Sequence, residues 1–169
     1  MNYFFNREFK PSTLEDFVRD TNDIPNGEGL NVYLFSPIGG NVSLAYMFKD
    51  ILENYSSDVT LIGCGHLYSA GLIAFLLTDV PKFVLDGTIG MWHRPYIDSR
   101  VMTYSGEAVK DAELVATIAS EENCTEQIER IIQPTKKELA SLNRGDDIFL
   151  TTGKLKEMLI TQNNQEKGQ

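Results

Sequence analysis

A serine, a histidine and a carboxylate can together run acyl transfer: the serine attacks, the histidine takes its proton, and the carboxylate orients the histidine. Ser69 has the setting of such a nucleophile. It lies in the stretch Gly63-Cys64-Gly65-His66-Leu67-Tyr68-Ser69-Ala70-Gly71. The apolar run Val59-Thr60-Leu61-Ile62 enters that stretch and reads as a buried strand; Leu72 to Leu77 leaves it and reads as a buried helix. The stretch between is predicted to be a strand-to-helix turn. Ser69 then sits at the helix mouth, where free N–H groups and the positive end of the dipole favour a developing anion. The plainer reading is a serine N-cap among small residues chosen for close packing.

A second glycine turn faces the same geometry. The strand Leu30 to Phe35 ends in Ser36-Pro37-Ile38-Gly39-Gly40-Asn41, and a helix follows. In parallel α/β sheets such strand ends line the ligand crevice. The N–H groups of Gly40 and Ala70 would make a two-donor oxyanion hole. For the base, His93 closes the apolar strand Ile89-Gly90-Met91-Trp92-His93; His66, in the turn itself, is the only competitor. For the orienter, Asp147 opens a new element beside Phe149, with Asp146 and Asp98 as rivals that spacing alone does not rank.

The elements that must position these residues alternate in type. A strand is predicted over Tyr3 to Phe9 and a helix from Pro11 with Leu14, Phe17 and Val18 as its apolar face. Leu44, Met47, Phe48, Ile51, Leu52 and Tyr55 make one helical stripe, the strongest such signal in the chain. Lys82 to Leu85 and Ile89 to His93 read as short strands, and 95–104 as an exposed extended arm. Glu107 to Ile132 reads as a long helix ended by Pro134. Thr135-Lys136-Lys137-Glu138 is a capping box, and Lys154 to Ile160 is the last predicted helix. The class is α/β with parallel pairing. One domain is expected over 1–161, with a disordered polar tail over 162–169.

Composition narrows the function. The chain has 169 residues, enough for one core, and a formal net charge of −9 with a pI of about 4.7. That balance argues against a nucleic-acid surface and against anionic membrane. Two cysteines, Cys64 and Cys124, make no disulfide framework, and a reducing cytoplasm fits. No apolar run reaches spanning length, and the opening residues are too polar for a signal peptide. Two histidines and two scattered cysteines do not suggest a metal site, and no cofactor is called for.

Together these residues resemble the proteolytic subunit of the Clp protease, within the broader fold shared with the crotonases. Ser36-Pro37-Ile38-Gly39-Gly40 resembles that family's Ser-Pro-Gly-Gly turn, and Gly65 to Gly71 its Gly-x-x-x-Ser-x-Gly turn. Met91-Trp92-His93-Arg94-Pro95 resembles its Met-x-His-x-Pro strand, and Asp147-Ile148-Phe149 its Asp-x-Phe segment. The order Ser, His, Asp is the family's, with 24 residues from Ser69 to His93 and 54 from His93 to Asp147. The resemblance runs from about Tyr3 to Ile160. It implies a ClpP/crotonase-like fold of repeated strand-strand-helix units with a protruding handle, here about 95–133. It makes Ser69 the nucleophile, His93 the base and Asp147 its orienter, with Gly40 and Ala70 as oxyanion donors.

The implied activity is a serine endopeptidase cutting peptides or unfolded proteins in a homo-oligomeric ring. A protruding handle would leave Val115, Ile118, Ile128, Ile131 and Ile132 uncovered for that assembly. Three departures qualify the likeness. Ile38 is an extra residue in the glycine turn, His66-Leu67-Tyr68 is bulky where the family is small, and the family's N-terminal segment has no counterpart in the sequence. That segment helps dock the Clp-type ATPase, so an ATPase-docked chamber is not expected. Two other readings stand beside the peptidase: a catalytically poor Clp-like assembly subunit, and a crotonase-like acyl-CoA enzyme, which bound CoA would reveal.

Overall fold

The computed structural model describes residues 1–166 apart from 23, 26–27, 57 and 95–111, and for 112–121 and 162–166 the backbone alone. The strands are β1 (Asn2–Phe5), β2 (Leu30–Ser36), β3 (Val59–Tyr68), β4 (Lys82–Val84), β5 (Ile89–Trp92) and β6 (Ile148–Leu150). The helices are α1 (Pro11–Thr21), α2 (Val42–Glu53), α3 (Ala70–Leu77), α4 (Ala112–Ile132), α5 (Lys136–Leu142) and α6 (Thr152–Glu166). The strands form one sheet in the order β1-β2-β3-β5-β6, with β4 also paired to β3. Every pairing is parallel except β5 with β6. The arm expected over 95–104, with Asp98, lies outside the described residues.

Alternation decides which face of the sheet is which. On β2, Leu30, Val32, Leu34 and Ser36 are buried, while Asn31, Tyr33 and Phe35 are half-buried on the other face. The inner face packs on the helices. Phe5, Phe9, Phe17 and Phe48 form a cluster of rings, with Phe5 and Phe48 centroids 5.0 Å apart. Leu72, Ile73, Phe75 and Leu76 bury α3 on every side, as its uninterrupted apolar sequence requires. Fully burying one such side chain is worth about 1.5–3 kcal/mol, so α3 anchors whatever turn precedes it.

Several elements differ from their sequence reading. The glycine-rich stretch is mostly strand: β3 continues through Tyr68. Its amides find partners on two sides, with Ser36 facing Leu67 on β2, and His66, Leu67 and Tyr68 facing Ile89, Gly90 and Met91 on β5. Gly65, at φ 61, absorbs the register shift between those β2 pairs, so the glycine serves a bulge inside the strand rather than a turn. α6 runs to Glu166 instead of stopping at Ile160; no Gly or Pro interrupts the sequence from there to Gly168. On the predicted stripes, Val18 and Met47 are exposed, and Thr13 and Thr21 take buried places on α1.

The C-terminal half of α4 is not left uncovered. Cys124, Ile128 and Ile132 belong to the core, and Ile131 packs against it. The side chains of Val115 and Ile118 lie outside the described residues. α4 stops where Gln133 turns to φ 50 ahead of Pro134. The capping box then forms as expected, with the Glu138 N–H donating to Thr135 Oγ1 at 3.3 Å and the Thr135 N–H to Glu138 Oε2 at 2.7 Å. Among the described residues no helix is long and apolar enough to cross a membrane.

Candidate active site

Ser69 is the single residue between β3 and α3. Its φ of 51 and ψ of −118 fall in a region that side chains rarely adopt. The surroundings enforce it. The Ser69 N–H donates to the Met91 carbonyl of β5 at 2.9 Å, and the Ser69 carbonyl accepts from the Ile73 N–H at 3.0 Å. One side of the residue is thus tied to the sheet and the other to the buried helix. Ser69 occupies the N-cap position, but its hydroxyl does not cap the helix. The capping interpretation of this serine therefore fails, and the half-buried hydroxyl is left for other work.

The second glycine turn lies directly against it. A Cβ added at Gly39 would come within 2.6 Å of the Ser69 Cβ and 3.2 Å of its Oγ. Phe9 fixes the turn from the other side: its N–H donates to Gly39 O at 2.8 Å and its carbonyl accepts from the Asn41 N–H at 3.0 Å. Both groups flanking Gly40 therefore point at Phe9, and the N–H of Gly40 points away from it. The Ala70 N–H, in the first turn of α3, has no helical acceptor either. Ile38, the extra residue of this turn, is 69% exposed, so its side chain is turned to solvent.

His93 follows the end of β5, one strand over from Ser69. Trp92 before it is wholly buried, so alternation puts His93 on the outer face with Met91, the residue whose carbonyl holds Ser69. Asp147 lies just before β6. The last β5–β6 pair is Trp92 with Ile148, and His93 and Asp147 are the residues that follow and precede that pair in the chain. That register separates the candidate carboxylates: Asp146 is instead paired with Arg144 at 2.7 Å. Among the described residues no hydrogen bond joins Ser69 to His93 or His93 to Asp147. The imidazole Nδ1 lies 2.8 Å from the carbonyl oxygen of Arg94.

His66, the competing histidine, is occupied otherwise. Its ring stacks between Phe35 (5.6 Å) and Tyr68 (4.9 Å), and Tyr68 meets Phe149 edge-on at 6.2 Å. The bulky residues before Ser69 thus form an aromatic ladder on the outer face of the sheet beside the strand ends. Cys64 is a poor rival nucleophile, because burial pushes its thiol up and its Sγ is turned to the Leu34 carbonyl at 3.5 Å. One residue to which local sequence assigned no role lies at the candidate site, Arg94, whose carbonyl meets His93, while Gly39 of the expected glycine turn packs against Ser69.

A hydroxyl on a tight elbow, two N–H groups without helical or strand acceptors, and an imidazole on the neighbouring strand end are the parts that acyl transfer uses. No protein-family model and no curated protein sequence matches this chain. Among solved structures it is similar to a point mutant of ClpP1 from Listeria monocytogenes. The TM-score is 0.66 and the identity 19%, over 93% of this chain and 86% of that one. The chain has a ClpP-like fold.

Proposed function

We propose that this chain is a Clp-like serine peptidase acting through an acyl-enzyme. Ser69 Oγ attacks the scissile carbonyl carbon while His93 Nε2 takes its proton. The oxyanion so formed is held by the N–H groups of Gly40 and Ala70. The imidazolium then gives its proton to the leaving amine, and water, deprotonated by the same nitrogen, releases the acid. Asp147 is the carboxylate nearest in register to balance the imidazolium charge. The observation that carries this reading is the Ser69 elbow: a strained, non-capping serine pinned to β5 and set against Gly39.

The same reading makes the peptidase a cytoplasmic homo-oligomer taking peptides or unfolded chains. Two unlike apolar surfaces support self-assembly. Phe4, Phe83 and Phe149 are 60–65% exposed on the outer face of the sheet. A groove of about 650 Å³ between α1 and α2 is lined by Leu14, Val18, Leu44, Met47 and Ile51. Contact between unlike patches of identical copies closes into a ring when the rotation permits. A second reading, a catalytically poor assembly subunit, is favoured by the absent Ser69–His93 hydrogen bond.

A fluorophosphonate decides between the two. Wild type should be labelled on Ser69 and cleave a small fluorogenic peptide, and Ser69→Ala should lose both while keeping its assembly size. An unlabelled wild type, or a Ser69→Ala variant that cleaves at the wild-type rate, would remove the peptidase reading.

A further inference from the structure

The imidazole of the proposed base is oriented by a group other than a carboxylate. A carbonyl oxygen has no proton to give, so the 2.8 Å contact between His93 Nδ1 and Arg94 O requires the proton to be on Nδ1. In the neutral ring Nε2 then carries the lone pair, which is the tautomer a general base needs. The carboxylate of Asp147 is exposed and makes no hydrogen bond among the described residues.

The carbonyl is itself held in place. The Arg94 guanidinium meets Glu129 of α4 through two bonds, Nε to Oε1 at 2.7 Å and Nη2 to Oε2 at 3.1 Å. Its Nη1 donates to Asn143 Oδ1 at 2.6 Å, and Asn143 is the C-cap of α5. The forked geometry fixes a plane as well as a distance, which an ammonium would not do. The strand end carrying His93 is therefore bolted to two elements at the residue whose oxygen the imidazole contacts.

We infer that Arg94 is the positioning residue of the base: its main-chain oxygen sets the tautomer and ring plane of His93, and its clamp to Glu129 and Asn143 keeps that oxygen still. Asp147 then adds only screened charge. This rests on the peptidase reading and goes beyond it, since the family resemblance places the orienting role on Asp147.

The test uses the full chain with four changes: Arg94→Met, Glu129→Ala, the swap R94E/E129R, and Asp147→Asn. Thermal melting of every variant separates a loss of fold from a loss of positioning, and the swap keeps both charges at the clamp. If the clamp positions the base, Arg94→Met and Glu129→Ala lower kcat about 10–100-fold with KM nearly unchanged. The swap recovers most of that loss. Asp147→Asn costs less than about tenfold, against the roughly 10⁴-fold loss seen where a carboxylate orients the triad histidine. Nitrogen-15 shifts of the imidazole give a readout a purely structural role would not move: wild type shows the proton on Nδ1, and Arg94→Met shows mixed tautomers. Wild-type kcat in Arg94→Met, or a loss of about 10³-fold or more in Asp147→Asn, overturns the inference while the peptidase reading stands. A wild type that neither cleaves nor labels removes both.

Discussion

Replacing Gly39 by alanine tests how tightly the elbow is built. Two penalties are expected. Gly39 has φ +85, and a side chain there costs about 1–2 kcal/mol. The new Cβ would also lie 2.6 Å from the Ser69 Cβ and 3.0 Å from the Tyr68 carbonyl, where ordinary contact begins at 3.4 Å. Both neighbours are fixed, one by a constrained backbone and one by being backbone, so the shortfall of about 0.8 Å falls on the elbow. Overpacking of this kind typically costs about 1–3 kcal/mol. The total is about 2–5 kcal/mol, and a displacement near 1 Å at the nucleophile should slow labelling of Ser69 about 10²-fold. Gly145 supplies the control: it has the same φ of +85 and nothing within 4 Å of its added Cβ. Gly145→Ala therefore carries the backbone penalty without the clash. Urea unfolding at one fixed protein concentration, with fluorophosphonate labelling rates, reads both effects. Equal losses of stability and equal labelling in the two variants would refute the contact between Gly39 and Ser69.

Three further outcomes concern the base and the cap of α5. His93→Ala should lower turnover by about three orders of magnitude or more, as in other triads. His66→Ala should cost far less, because its ring is engaged by Phe35 and Tyr68; the reverse ranking in peptide hydrolysis would reassign the base. At the start of α5, Thr135→Ala should destabilise the fold by about 1 kcal/mol in thermal unfolding. The Thr135 hydroxyl and N–H hold the Glu138 carboxylate below its ordinary range, so the folded state favours the charged form. That stabilisation is present above the carboxylate's unfolded range and is lost as pH falls through its lowered folded value. The wild-type advantage over Glu138→Gln should shrink with acid, and a difference that grew on acidification would contradict the capping box.

Much of the scaffold is legible because its signals are local. The charge-free run from Leu72 to Leu77 can only be satisfied by burial, and α3 is buried almost throughout. The stripe on α2 finds Phe48 and Leu52, and the capping box finds the start of α5. Where sequence and structure part, the cause is shared. Gly63 and Gly65 suggest a turn, whereas pairing with the flanking strands before and after Gly65 carries β3 on to Tyr68, with Gly65 at a bulge. Ile128 and Ile132 fit an uncovered handle by position, but tertiary packing brings them into the core.

The site divides along the same line. Ser69 and His93 stand out as candidates because each follows a strand, and strand ends are where a parallel sheet exposes chemistry. Choosing between Asp147 and Asp146 needs register: the β5–β6 pairing ends at Trp92 and Ile148, whose next neighbours toward the site are His93 and Asp147. Arg94 has no local signal, since its partners lie 35 and 49 positions away on α4 and at the end of α5. Its side chain serves the fold while its carbonyl meets the imidazole. A main-chain oxygen has no letter in the sequence, so the group in contact with His93 Nδ1 can be found only after the strand ends have been set in space.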